Sequence, residues 1–335
     1  MASSGGNQDD NSSSGNERRQ PRSLEDVLKL AVQNTPTGEE PGTQGDQHAQ
    51  MDPERREFLN KVFTEMHKDE TKEMISLVET VRQKLDSENE VDEETVENAL
   101  ENLRDLSDTI DNAQDFHKIG GTRLLPQLMD HARSEVRWRT FDLIANLVQN
   151  VPFNQKVLLE MGGVEKLLTA VDKDSSDKCR VKGLYALSCL ARDNEACLKV
   201  FVDNDGFSVL MRAMQSDVEK LQIKSAFMLK ALFHTAAGLK DILHNMGMVH
   251  QLIGLLQTDH TPTHEHFMSA LLNLVTDHTG CIDDCRQPEL HFKEFLTARQ
   301  EFLNGKPEFQ EEYSYSQQLM TICFSGNHSN TTLDR

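Results

Sequence analysis

This chain of 335 residues is short of aromatic and basic side chains. It has one Trp and three Tyr, and 35 Lys and Arg stand against 55 Asp and Glu, for a formal net charge of −20. So little positive charge argues against a nucleic-acid partner, whose phosphates need Lys and Arg, and against an anionic membrane surface. No stretch approaches the about 18 unbroken apolar residues of a membrane span, and no apolar run opens the chain as a secretory leader would. No glycine loop followed by Lys-Ser or Lys-Thr is present to cradle a nucleotide phosphate, and His264-Glu265-His266 lacks the two-residue insertion that puts two imidazoles on one helix face. The six cysteines, Cys179, Cys189, Cys197, Cys281, Cys285 and Cys323, are spaced too irregularly for a disulfide framework. They read as reduced thiols of a cytosolic or nuclear protein. Cys281 and Cys285 can share a helix face near His260, His264, His266 and His278, but further metal ligands would have to come from another helix. They are read as partly buried thiols beside surface histidines. No catalytic residue, cofactor or metal is expected, and the chain does not read as an enzyme.

What the sequence does contain is repetition. Residues 1–50, rich in Ser, Gly, Asn, Gln and Pro, bury too little apolar surface to order themselves. Within them, residues 22–33 form a short amphipathic motif in which Leu24, Val27 and Leu28 share one face. Asp52-Pro53 starts capping helices over 52–92, with an acidic loop at 87–92. Four turns, Gly120-Gly121, Gly162-Gly163, Asp205-Gly206 and Gly247-Met248, then recur 42, 43 and 42 residues apart. Mostly apolar residues follow each turn at the fifth, eighth and ninth positions, and a degenerate fifth copy starts near Gln287. A long amphipathic helix and a short one complete each unit. Three helices in about 42 residues is the armadillo pattern. The expectation is an all-α, armadillo-type right-handed superhelical solenoid over 93–299, with units at about 93–133, 134–174, 175–216, 217–258 and 262–299. Residues 300–335 then supply a C-terminal capping helix and tail.

In such arrays the third helix of each unit lines the concave face. Aligning the units gives ladders: Asp105, Asn146, Cys189, Ala231, Asn273; four residues earlier Glu101, Asp142, Tyr185, Phe227, Ser269; seven earlier Asn98, Arg139, Lys182, Lys224, His266. Arg192 stands three residues after its rung. Arg139, Lys182, Lys224 and His266 form a basic row with rungs about 10 Å apart. The row either selects an acidic protein surface or merely snorkels off the edges of apolar helices. Trp138 beside it is read as core rather than contact.

Several segments resemble the HspBP/Fes family: Asp111–Phe116, Arg137-Trp138-Arg139, Asp205–Gln215, Lys224–Phe227, Met246–Val249, His264-Glu265-His266 and Cys285–Leu290. The likeness runs from residue 22 to about 325. It implies a monomeric nucleotide exchange factor. Its concave face wraps one lobe of the ATPase domain of the cytosolic 70-kDa heat-shock chaperone, opens the nucleotide cleft and promotes ADP release and so client release. The family's flexible N-terminal segment enters the chaperone's client-binding site, and Leu24, Val27 and Leu28 look like its core; docking of that helix on the solenoid is the other reading. The competing function is a general armadillo adaptor that holds extended peptides through an Asn ladder. Only Asn146 and Asn273 supply such a ladder here.

Overall fold

A computed structural model describes residues 53–86, 93–233 and 238–325, except for the side chains of residues 53, 54, 63–69 and 93. The expectations for residues 1–50, for Leu24, Val27 and Leu28, for Asp52, for the loop at 87–92 and for the tail beyond 325 lie outside the described residues. The chain divides into two units, Met1–Asp69 and Glu70–Arg335. The described part of the first is the opening of helix α1 (Pro53–Asp86), where Phe58 is exposed.

Among the described residues of the second unit the regular elements are all helices. After the rest of α1 come α2 (Glu93–Leu106), α3 (Ile110–Lys118) and a 3-10 turn (Gly121–Leu124) leading into α4 (Leu125–Met129). Next are α5 (Ser134–Val148), α6 (Pro152–Glu160), α7 (Gly163–Lys173) and α8 (Asp177–Ala191). They are followed by α9 (Glu195–Asp203), α10 (Gly206–Met214), α11 (Glu219–Leu232) and α12 (Leu239–Asn245). The series ends with α13 (Met248–Leu256), α14 (His264–Val275), α15 (Thr279–Cys285), α16 (Phe292–Leu303) and α17 (Gln310–Met320), which runs into a π turn (Thr321–Ser325).

The order short helix, tight turn, second helix, long third helix recurs, and each turn carries a steric requirement that the sequence meets. Its first residue is left-handed: φ is +85° at Gly120, +72° at Gly162, +55° at Asp205 and +73° at Gly247. Glycine takes this conformation without steric cost, and Asp205, a short Asx residue, takes it at a small one. In three of the turns the second residue also needs the absence of a side chain, whereas the fourth carries Met248 there. A Cβ on Gly121, Gly163 or Gly206 would lie 2.4, 2.4 or 2.5 Å from Phe116, Leu158 or Phe201. In the fifth unit the left-handed residue is His291 (φ +46°), not the position near Gln287 expected from the period, because a 3-10 turn over Pro288–Leu290 displaces the bend. Three long helices also end just before an Asx residue in the same conformation, Asn150, Asp193 and Asp277; short Asx side chains tolerate it.

Successive long helices α2, α5, α8, α11, α14 and α17 pack side by side. The core between layers is aliphatic, with Leu143, Ile144, Leu187, Leu190, Met228, Leu229, Leu271 and Leu274 at most 1% exposed. Buried amides pin unit to unit. Asn154 donates to the carbonyls of Ala113 (2.7 Å) and Leu147 (2.8 Å), and Asn112 to Glu70 and the Leu106 carbonyl (both 2.8 Å). Such groups would be costly if left unpaired.

Candidate partner-binding face

The ladder residues lie on α5, α8, α11 and α14, as the period requires, but they are not chemically equivalent. Arg139 is half-buried. Its guanidinium meets Glu135 at 2.6 Å, Glu97 at 3.5 Å and Glu101 at 3.9 Å, and lies 4.2 Å from the Trp138 ring centre. Lys182 reaches back one unit to Asp142 at 2.6 Å. Asp142 is 7% exposed, and Arg104 stands 3.8 Å away. Neither cation of this pair of rungs is free. His266 sits 4.8 Å from the Phe227 ring, and burial holds its pKa below the usual 6.5, an effect partly opposed by Glu311. It is therefore neutral near pH 7.

Lys224 differs. It is exposed, has no carboxylate partner among the described residues, and lies 5.2 Å from the ring of Tyr185. Arg192 is likewise exposed; its contact is a long one to Ser188 Oγ at 3.5 Å. Phe227, on the same helix as Lys224, is 53% exposed. Of the three Lys and Arg in the row, Lys224 is the one without an internal carboxylate among the described residues, with Arg192 as a second cation beside it.

One diagonal explains the change. The second-row residue of each unit faces the first-row residue of the next: Glu101 to Arg139, Asp142 to Lys182, Tyr185 to Lys224, Phe227 to His266. Where the second row is acidic, the cation is neutralised internally. Where it is aromatic, no carboxylate claims the first-row side chain: Lys224 stays available beside Tyr185, and His266 packs on Phe227. The sequence carried this signal in the two ladders read together, about 39 residues out of register.

The remaining candidates act on the scaffold. Asn146 donates to the Arg104 carbonyl at 3.0 Å, and Asn273 to the Ser269 carbonyl at 2.7 Å, so both amides already serve backbone groups. Tyr185 donates weakly to Gln149 at 3.4 Å. Trp138 is neither sealed core nor open contact. It is half-buried, its indole N–H donates to Glu135 at 2.9 Å, and Lys178 stands 3.4 Å from the ring centre that Arg139 also approaches. Lys178 went unnoticed in the sequence because it belongs to no ladder.

The histidines and cysteines depart from their expected setting. His264 is 1% exposed rather than a surface residue, and Cys281 and Cys285 are fully buried rather than partly so. His278 caps α15 through Cys281 N–H (3.0 Å) and meets Asp241 (3.0 Å). His260, His264 and Glu312 bring possible ligand atoms within 4.8 Å of one another. Arg299, however, donates to Glu312 at 2.9 Å and to His264 Nδ1 at 3.0 Å. The guanidinium is the cation of this cluster, and a metal ion would have to displace it. Burial first, then Arg299, lowers the pKa of His264 to about 4. The cluster seals α17 against α14 and α16.

Two family models match the chain: the SIL1/FES1/HPBP1 C-terminal domain over residues 112–241 and the nucleotide exchange factor Fes1 over residues 24–116. Hsp70-binding protein 1 from Homo sapiens is 39% identical over 326 residues, covering 95% of this chain and 89% of that protein. The Mus musculus protein of the same name is 39% identical over 342 residues, covering 99% and 94%. This chain belongs to the Hsp70-binding protein 1/Fes1 family. Its fold is that of a designed armadillo repeat protein, matched with a TM-score of 0.58 at 19% identity over 74% of this chain and 99% of the other. The family models include both the ladder helices α5, α8 and α11 and the segment holding Leu24, Val27 and Leu28.

Proposed function

We propose that this chain is a nucleotide exchange factor for a cytosolic 70-kDa heat-shock chaperone. It grips the chaperone's ATPase domain, as a monomer, through the face of its long third helices. The observation that carries the reading is the patch on α8 and α11, where Arg192 and Lys224 remain unneutralised beside Tyr185 and the exposed Phe227 in an otherwise acidic chain. Aromatic and arginine side chains dominate contact energetics at protein interfaces, and uncompensated cations steer an acidic partner. Family membership supplies the partner class.

Exchange needs no catalytic group. A factor that binds the open chaperone lobe more tightly than the ADP-closed one shifts the population toward the open state by its differential affinity, about 1.4 kcal/mol for each factor of ten. The engaged amides of Asn146 and Asn273 weigh against an extended-peptide adaptor, which would need them for its ligand's backbone. Leu24, Val27 and Leu28 are the proposed client mimic, within the span matched by the Fes1 model. Among the described residues no helix is long and apolar enough to cross a membrane.

The test is the dissociation of a fluorescent ADP from the isolated ATPase domain. Addition of the chain accelerates it, and the chain alone hydrolyses no ATP. Unchanged dissociation at saturating protein would reject the proposal.

A further inference from the structure

The diagonal that leaves Lys224 available occurs a second time. Trp138 stands four residues before Asp142 on α5, and Lys178 four before Lys182 on α8. The pair therefore lies one helical turn beyond the Asp142–Lys182 ion pair, on the same stripe of both helices. The Lys178 ammonium sits 3.4 Å from the centre of the Trp138 ring, and the Arg139 guanidinium 4.2 Å from it. Lys178 is exposed and has no carboxylate partner among the described residues, whereas Trp138 is half-buried. Glu135, the carboxylate beside the ring, is already engaged. It accepts from Arg139 at 2.6 Å and from the indole N–H at 2.9 Å. The indole bond holds the ring in place, and the ring holds the ammonium. A lysine fixed in this way loses less freedom when a partner docks.

We propose that Trp138 and Lys178 form a second anchor for the chaperone's ATPase domain, at which an Asp or Glu side chain of that domain meets the Lys178 ammonium and an apolar neighbour of it covers the exposed part of the Trp138 ring. The inference rests on the function proposed above. Two observations select this occupant. The first is continuity with the patch on α8 and α11. Lys178 and Tyr185 are seven residues apart on α8, about 10 Å along its axis, with the paired Lys182 between them. The second is charge. In a chain of net charge −20, a cation that no internal carboxylate claims is a place where an acidic surface can approach. Trp is also enriched among the residues that dominate protein interfaces. Two anchors on either side of an internal ion pair fix the orientation of a bound lobe, where one anchor would leave it free to pivot.

Because Trp138 is the sole tryptophan of the chain, the anchor can be watched directly. The full chain is prepared with 5-fluorotryptophan, which gives one fluorine resonance, and is titrated with unlabelled ATPase domain while fluorescent-ADP release is followed in parallel. The resonance should shift, and the shift should saturate together with the acceleration of ADP release. Lys178→Glu should weaken binding at least about tenfold and reduce its dependence on salt. Lys178→Arg, which keeps the charge and the ring contact, should recover most of that loss. Position 178 lies in the first turn of α8, where a carboxylate suits the helix dipole. A denaturant curve should therefore show no loss of stability in Lys178→Glu, which separates a lost contact from a lost fold. A resonance that stays in place while ADP release accelerates, or a Lys178→Glu chain that binds as tightly as wild type, would overturn the second anchor and leave the proposed function standing. No acceleration by the wild-type chain would reject the function and the anchor together.

Discussion

The two halves of the repeat array use their charges differently. In the half built on α2, α5 and α8, carboxylates of one unit meet cations of the next: Glu97 and Glu101 with Arg139, Asp142 with Lys182. In the half built on α11, α14 and α17, the charged cluster lies inside, as Arg299 and Glu312 with His264, and the outer face keeps aromatic rings and an unpaired Lys224. α8 spans the change: its Lys182 is paired within the array, whereas its Tyr185 and the Arg192 at its end belong with Lys224 and Phe227 to the face proposed to bind the partner. A repeat period fixes where a side chain stands, whereas its neighbour one unit away decides whether it is free to bind.

The largest effect concerns the buried cluster. His264 has a folded pKa of about 4 against 6.5 unfolded, so the unfolded chain binds the proton first as pH falls. Its contribution is fully present above about pH 6.5 and is lost as pH falls from there toward 4; the shift corresponds to about 3 kcal/mol. Denaturant titrations at pH 7 and pH 4.5 should show a steeper loss for the wild-type chain than for His264→Gln. Equal slopes would mean that the cluster tolerates protonation and is not sealed.

Next comes the contact half. Lys224→Glu with Phe227→Ala should weaken binding to the chaperone's ATPase domain by at least about 2 kcal/mol, while unfolding free energy moves by under about 0.5 kcal/mol, as is usual for exposed positions. Titration calorimetry and a denaturant curve separate the two quantities. The reverse pattern, lost stability with retained affinity, would erase the distinction between the halves.

The strut half gives the mirror image. Lys182→Glu places a second carboxylate against the buried Asp142, and the expected cost is about 1–3 kcal/mol of folding stability. Lys182→Met, which removes the cation without adding repulsion, should cost less. A change confined to affinity would show that Lys182 is a contact after all.

The smallest effect lies at the turn between the halves. Asp205 holds φ at +55° where three equivalent turns have glycine. Asp205→Gly should stabilise the chain by at most about 1 kcal/mol, as relief of left-handed strain offsets the added chain entropy. A destabilised variant would point to a role for the carboxylate.

The helices and their three-per-unit order were legible because turns and apolar positions recur at one period, and local rules set both. The double glycines were legible as turns, but the reason for the second was not, since it depends on Phe116, Leu158 and Phe201 packing beneath it. The site was half legible. Positions 139, 182, 224 and 266 were found by register, yet their availability turned on partners 38 to 42 residues away, which a single ladder does not display. The burial of His264 depended on Arg299 and Glu312 arriving from two later helices, and no local pattern around residue 264 foretells that.

The most direct measurement is the rate of fluorescent-ADP release from a cytosolic 70-kDa chaperone's ATPase domain, titrated with wild-type chain, with Lys182→Met and with the Lys224→Glu, Phe227→Ala pair. The wild-type chain and Lys182→Met should accelerate release with similar half-saturation, while the pair should need about 30-fold more protein, the factor that 2 kcal/mol represents. No acceleration by the wild-type chain, or an unimpaired Lys224→Glu, Phe227→Ala chain, would contradict the account.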